Sequence, residues 1–259
     1  MNAIHASIAY ADRRLPRGVA HLCLQFIIWM AFYFAYNITR GLADRDIPGA
    51  FANGEWIART ENRLGTLFEP SLQQVLEWAP FLTTLTVWTY WFSQFIVVGV
   101  VLFWVYFRHN ERFAFFRNWL FLANVVGLVC YVLVPTAPPR MLPHWGFTDT
   151  LNGSSTVNHG TVDGLANQFA AMPSLHAMDA LIVGVVMFTV VRSPIAKALW
   201  LAWPGWVSFA IVATANHYWL DIAASVAIAA LVAAVLRPRQ ALAALPFVGR
   251  RAELARSEI

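Results

Sequence analysis

The sequence predicts an all-α membrane protein, a six-transmembrane-helix bundle with short amphipathic extracytoplasmic helices. Three observations carry that prediction. Of 259 residues, 59% are hydrophobic and only 12% are charged, about half the charge of an ordinary soluble domain. Apolar runs of roughly 18–25 residues recur along the chain, each long enough to cross ~30 Å of hydrocarbon. Basic residues are distributed unevenly about those runs. The net charge of +4 comes with no clustered basic face, so no nucleic-acid footprint is present. Cys23 and Cys130 both sit inside apolar runs and read as small buried hydrophobes, with no disulfide framework and no metal-ligand spacing.

Taken in order, Arg13, Arg14 and Arg17 precede an apolar run over 19–36. That run is too long for a signal-peptide core and no small-residue cleavage site follows it, so it reads as an uncleaved anchor. In the 37–80 connection, Ile57, Leu64, Leu67, Phe68, Leu72, Val75 and Leu76 recur at helical spacing, with Arg59, Glu61, Arg63, Gln73 and Glu77 between them. Pro70 interrupts the pattern, which predicts two short amphipathic helices lying along the membrane interface or capping the bundle. Further apolar segments fall at 81–107, 118–134, 175–191, 198–215 and 217–236. The last two are joined only by residues around Thr214–His217, which predicts a tight helical hairpin. The stretch 141–168 is rich in Gly, Ser, Thr, Asn and Asp and reads as a long outward loop of the lid or binding kind.

An even number of crossings places both termini on one side. That side holds 13 of the 18 basic residues: Arg13, Arg14, Arg17, Arg108, Arg112, Arg117, Arg192, Lys197, Arg237, Arg239, Arg250, Arg251 and Arg256. Arg40, Arg45, Arg59, Arg63 and Arg140 fall on the other. The positive-inside rule therefore predicts an integral protein of the cell membrane with both termini cytoplasmic. The division is a cytoplasmic tail over 1–18, a six-helix domain over 19–236 and a basic cytoplasmic tail over 237–259. The 37–80, 135–174 and 214–217 connections face outward.

Chemistry concentrates in three segments at helix ends on that outer side: Pro135-Thr-Ala-Pro-Pro-Arg140, Ala171-Met-Pro-Ser-Leu-His176 and Asn216-His-Tyr-Trp-Leu-Asp221. His217 and Asp221 are four apart and share a helix face. A lone carboxylate in an apolar segment needs a partner, and pairing with it fixes the imidazole tautomer and makes the far ring nitrogen a better nucleophile or base. Pro173 suits a first helical turn and Ser174 can cap it, leaving free N–H groups as an anion site with His176 in the same turn. Asp179, three residues on, could pair with His176. Arg140 is the only basic residue in the 135–174 connection, and its guanidinium fork binds phosphate oxygens in a bidentate way. Each feature alone has a structural explanation: an interhelical hydrogen bond, a helix cap, an interfacial arginine. Together they supply an oxyanion clamp, a nucleophile, a tautomer-fixing carboxylate and a general acid, the requirements of phosphoryl transfer. No Cys, Glu-rich or His-x-x-x-His metal spacing competes with them.

These residues resemble the type-2 phosphatidic acid phosphatase superfamily, most closely its branch of inositolphosphorylceramide-synthase-like phosphotransferases. Pro173-Ser174-Leu175-His176 is similar to the second motif, Pro-Ser-Gly-His, in the Leu-for-Gly form of that branch. His217-Tyr-Trp-Leu-Asp221 matches the end of the third motif, and Ala137-Pro-Pro-Arg140 resembles the first. The likeness covers roughly 55–236. It departs at Leu133, where the superfamily has a lysine, and at Ala210 and Ile211, where it has Ser-Arg. Arg140 then carries more of the phosphate charge, with Arg59 or Arg63 as candidates to help it.

The resemblance implies a lipid phosphatase or phosphotransferase with no metal or other cofactor. His217 attacks phosphorus and becomes a phosphohistidine, Asp221 orients it, and His176 protonates the leaving oxygen. Arg140, Ser174 and backbone amides hold the equatorial oxygens. The substrate is a lipid or lipid-linked phosphate, and the acceptor is water or a small alcohol such as inositol or a sugar. The competing readings are an ion- or proton-coupled transporter that uses Asp179, Asp221 and the histidines as a relay, a metal-dependent membrane hydrolase, and a non-catalytic lipid-binding relative.

Overall fold

The computed structural model describes residue 12 and residues 15–43, 46–150 and 168–243. Arg13, Arg14, Arg45, Arg250, Arg251 and Arg256, the part of the outward loop over 151–167 and most of the C-terminal tail lie outside the described residues, as do the side chains of Arg40 and Arg239. The described residues are mostly helical, with irregular connections, a π-helical turn, two short 3-10 turns and one isolated bridge between Thr136 and Ala170. The helices are α1 (Gly18–Ala43), α2 (Ile47–Arg63), α3 (Glu69–Trp78), α4 (Pro80–Phe92), α5 (Val98–Arg108), α6 (Asn110–Leu133), α7 (Leu175–Val190), α8 (Pro194–Ala213) and α9 (Trp219–Ala243).

Among the described residues, five stretches are long and apolar enough to cross a membrane: Gly18–Thr39, Pro80–Arg108, Asn110–Leu133, Pro194–Ala213 and Trp219–Arg237. The sixth expected crossing, α7, has 16 residues, about 24 Å at 1.5 Å per residue, short of a full hydrocarbon thickness. Most of it is buried, with Met178, Ile182 and Val183 at its centre, and only Val185, Phe188 and Thr189 toward its C-terminal end are exposed. A helix that is apolar all round belongs in a core. Leu120 and Phe116 of α6 and Ala229 of α9 join the same cluster. On the opposite side, α8 comes so close that a β-carbon on Gly184 would lie 2.7 Å from the Trp200 carbonyl oxygen.

Several boundaries differ from the sequence pattern for local reasons. The 81–107 segment is one rod, α4 to α5, interrupted by a π-helical turn over Ser93–Val97. Only His109 separates α5 from α6, which begins at Asn110 rather than 118, because Asn110, Glu111 and Arg112 supply a polar first turn. Helix α9 starts at Trp219, so His217 lies in the hairpin connection and not in the helix.

The 37–80 region does hold two amphipathic helices, α2 and α3, but Pro70 does not divide them. The break falls at Leu64–Phe68, where Gly65 adopts a φ of +68°, and Pro70 occupies the first turn of α3, a position that lacks a backbone partner in any case. The polar pattern is also inverted in part. Ile57 and Leu76 are buried, but so are Glu61, Glu69 and Gln73, while Leu64, Phe68 and Val75 face outward and Trp78 is 89% exposed.

Candidate active site

The three segments singled out in the sequence come together at one end of the bundle, stitched by main-chain hydrogen bonds. Thr136 N–H donates to Phe169 O, and Ala171 N–H to Thr136 O (2.8 and 3.2 Å). Arg140 N–H donates to Ala215 O (2.9 Å) and Ser174 N–H to Asp221 O (3.4 Å). Side chains finish the joint: Tyr131 donates its hydroxyl to Pro173 O (2.9 Å) and Ser225 to Ser174 O (2.8 Å). Helix α2 supports this layer. Ala137 N–H donates to Ala50 O (2.9 Å) and Asn53 to Pro135 O (2.8 Å). Contact here is closest at Gly54, where a β-carbon would lie 2.7 Å from Ala137 O and 3.2 Å from the Tyr218 hydroxyl. Glycine is required by that approach, not by its backbone angles.

His217 is 4% exposed and Asp221 fully buried. The ring Nδ1 of His217 lies 2.8 Å from the carbonyl oxygen of Ala171 and 3.3 Å from Asp221 Oδ2. A carbonyl only accepts, so Nδ1 carries the ring proton and Nε2 keeps its lone pair. The expected histidine–carboxylate pair is therefore present, and it is assisted by a main-chain acceptor. Asp221 Oδ2 also accepts from Tyr218 N–H (2.9 Å), which locks the carboxylate over the start of α9.

His176 sits in the first turn of α7, its ring centroid 5.9 Å from that of His217 with the planes at 56°. Tyr90 holds it from the other face by stacking at 4.5 Å and 20°, and the Tyr90 main-chain carbonyl accepts from the ring. Asp179 does not pair with His176. It accepts from Asn124 at 2.6 Å, deeper in the bundle, because three residues along α7 turn it toward α6.

Ser174 is the N-cap of α7 and accepts from Ala177 N–H at 3.3 Å. Pro173 precedes the cap instead of occupying the first turn. Ser174 is fully buried, and the N–H groups of Ser174 and Ala177 already have partners. Arg140 is half-buried. Its Nη1 donates to Asn216 Oδ1 at 2.6 Å, and Asn216 is in turn fixed to Thr214. The guanidinium is near enough for its charge to act on the His217 ring. Arg59 pairs with Glu55 at 3.3 Å on the exposed side of α2, and Arg63 is exposed. At the positions where the resemblance lacks cations, Leu133 is 73% exposed and faces outward, and Ala210 and Ile211 are buried in α8.

The sequence reading gives no role to three residues of this site. Asn216 opens the third segment as a polar residue in an apolar hairpin, a signal that was there to read. Glu61 falls among the polar residues expected to lie between the apolar ones, and Glu69 leaves no signal. Each is fully buried, with Glu61 Oε1 accepting from Leu220 N–H (3.0 Å) and Glu69 Oε1 from Trp219 N–H (3.1 Å).

The structure thus joins apolar helices of membrane-crossing length to a buried His–Asp pair beside a second histidine and an arginine. The family model described as the PAP2 superfamily matches residues 55–235, well over half of the chain and all three segments, and the chain belongs to that superfamily of phosphatases and phosphotransferases. No curated protein and no solved structure matches it.

Proposed function

We propose that this protein is a lipid phosphatase or phosphotransferase working through a phosphohistidine on His217. The observation that carries the reading is the Nδ1-protonated His217 ring, buried against Ala171 O and Asp221, with the imidazole of His176 at 5.9 Å and Arg140 beside it. His217 Nε2 attacks phosphorus as the bond to the leaving oxygen breaks, and His176 gives that oxygen a proton. Asp221 and Ala171 O stabilise the imidazolium character that develops. The Arg140 fork takes the equatorial oxygens, positioned by Asn216, and Ser174 contributes at the phosphate side by capping the turn that aims His176. Water or an alcohol then attacks the phosphohistidine, His176 accepts its proton, and the P–Nε2 bond breaks to release His217.

In this reading α7 is the sixth crossing, its 16 residues completed by the turn that precedes it. Both termini are cytoplasmic and the site opens on the extracytoplasmic face. The Pro173-Ser174-Leu175-His176 and Ala137-Pro-Pro-Arg140 segments favour the inositol-phosphotransferase branch, with inositol or a sugar as acceptor. The transporter reading is less favoured, since Asp179 is held by Asn124 instead of linking to the histidines.

The test is a screen of purified protein in detergent against labelled polyprenyl, glycerol-based and sphingoid phosphates, with and without inositol or sugars, in the presence of a strong chelator. The expected result is label released as phosphate or carried onto the acceptor. Absence of turnover across all classes, or turnover that His217→Ala retains in full, overturns the proposal.

A further inference from the structure

The first turn of α9 carries Asp221 and follows directly on His217, so whatever fixes that turn fixes the proposed nucleophile. Its first two N–H groups would normally be satisfied by a side-chain cap from within the chain segment itself or by water. Here they are taken by two acids from elsewhere: Leu220 N–H by Glu61 of α2 and Trp219 N–H by Glu69 of α3, both fully buried. Trp219 is gripped a second time through its indole N–H, which donates to Thr66 Oγ1 in the α2–α3 break at 3.1 Å.

The other oxygen of each acid, Glu61 Oε2 and Glu69 Oε2, is buried with no hydrogen-bond donor among the described residues, and because the two acids accept from the N–H groups of consecutive residues, at 3.0 and 3.1 Å, their carboxyls sit side by side. Two buried carboxylates at that range cannot both be ionised, whereas one proton between them satisfies both free oxygens.

We infer that Glu61 and Glu69 form a one-proton carboxyl pair that clamps the start of α9 and positions His217 and Asp221 for catalysis. They are positioning residues, acting through the main chain of 219 and 220. The inference rests on the phosphotransfer reading of His217 for its consequence, though not for the existence of the pair.

The pair has a defined alkaline limit. Burial first, and the neighbouring Glu69 second, push the Glu61 carboxyl up from 4.5 to about 9. The titratable groups around it are acids on every side: Glu69 from α3, Asp221 from α9 and Tyr218 from the connection before it. On α2 itself Arg59 and Arg63 are exposed, and Arg59 is engaged with Glu55. Above about pH 9 the shared proton leaves, the two acids repel, and the clamp on α9 opens.

Two variants and two readouts test this. Glu61→Gln keeps an acceptor for Leu220 N–H and supplies an amide N–H to Glu69 in place of the proton. Glu61→Ala keeps neither. In wild type, kcat should fall as pH rises through about 9 with KM little changed. Glu61→Ala should lose on the order of 10–100-fold in kcat at neutral pH, the cost of misplacing a reacting group by about an ångström. Glu61→Gln should restore most of that loss and remove the alkaline fall. Independently of activity, infrared titration of the whole protein should show a protonated-carboxyl band that disappears near pH 9 and is missing in Glu61→Gln. A Glu61→Gln pH profile that superimposes on wild type, or an infrared band unaffected by the substitution, overturns the inference. If wild type turns over no lipid phosphate, the functional reading fails, and the infrared titration alone decides whether the pair exists.

Discussion

His217 Nδ1 lies closer to the main-chain carbonyl of Ala171, at 2.8 Å, than to the carboxylate of Asp221, at 3.3 Å. The ring proton is thus shared between an acceptor that no side-chain substitution removes and one that can be mutated. Tautomer control and charge stabilisation are divided between two groups. Asp221 supplies the charge, and both hold the geometry.

Asp221→Asn should therefore lower kcat by about 10²-fold, the low end of what a positioned proton-transfer group contributes, and not by the ~10⁴-fold seen where the carboxylate fixes the tautomer. Ala171 O still selects Nδ1–H, and an asparagine Oδ1 can still accept from Tyr218 N–H. Single-turnover kinetics against the best lipid phosphate would measure it, and a loss as large as that of His217→Ala would mean that the carbonyl contributes nothing.

Arg140→Lys should lose on the order of 10²-fold in kcat/KM. An ammonium cannot bond Asn216 and also present a fork to phosphate. Asn216→Ala should cost less, because it frees the guanidinium without removing it. Steady-state kinetics on both variants give the comparison. Wild-type rates in Arg140→Lys would make Arg140 an interfacial anchor.

Gly54→Ala should destabilise the fold by about 1–3 kcal/mol, the range for forcing a methyl group into a packed site. The added carbon would meet Ala137 O at 2.7 Å, a backbone atom of the segment that leads to Arg140. Denaturation in detergent would show the loss, and activity should fall with it. Gly205, where a β-carbon would meet open space, supplies the control for the same substitution.

Stability should fall as pH rises from the ordinary carboxyl range near 4.5 toward about 9. Glu61 holds its proton more tightly in the folded chain than in the unfolded one. That preference stabilises the fold fully below 4.5 and is lost progressively up to the folded value. Thermal unfolding across this range should show the slope, and Glu61→Gln should flatten it.

What was legible in the sequence follows from what leaves a side-chain signature. Apolar run length marked five helices of membrane-crossing length and read 175–191 as a sixth, where the structure has a shorter 16-residue helix packed into the core, and the near contact of the last two runs marked the hairpin at Thr214–His217. The His217–Asp221 spacing marked their pairing. Ala171 O escaped because a carbonyl is the same at every residue and only the fold aims it. Glu61 and Glu69 escaped because α2 and α3 carry acids, amides and apolar residues on the buried side and Leu64, Phe68 and Val75 on the other, so periodicity could not identify the inward face. Asp179 was matched to the nearer histidine in sequence, whereas the helix turned it to Asn124.

The central claim is most directly tested by trapping the intermediate. Rapid quenching of the protein with labelled lipid phosphate, followed by mass spectrometry under alkaline conditions that preserve phosphohistidine, should place one acid-labile phosphoryl group on His217. The label should be absent in His217→Ala. Label on another residue, or rapid turnover by His217→Ala with no covalent phosphoprotein formed, would contradict the account.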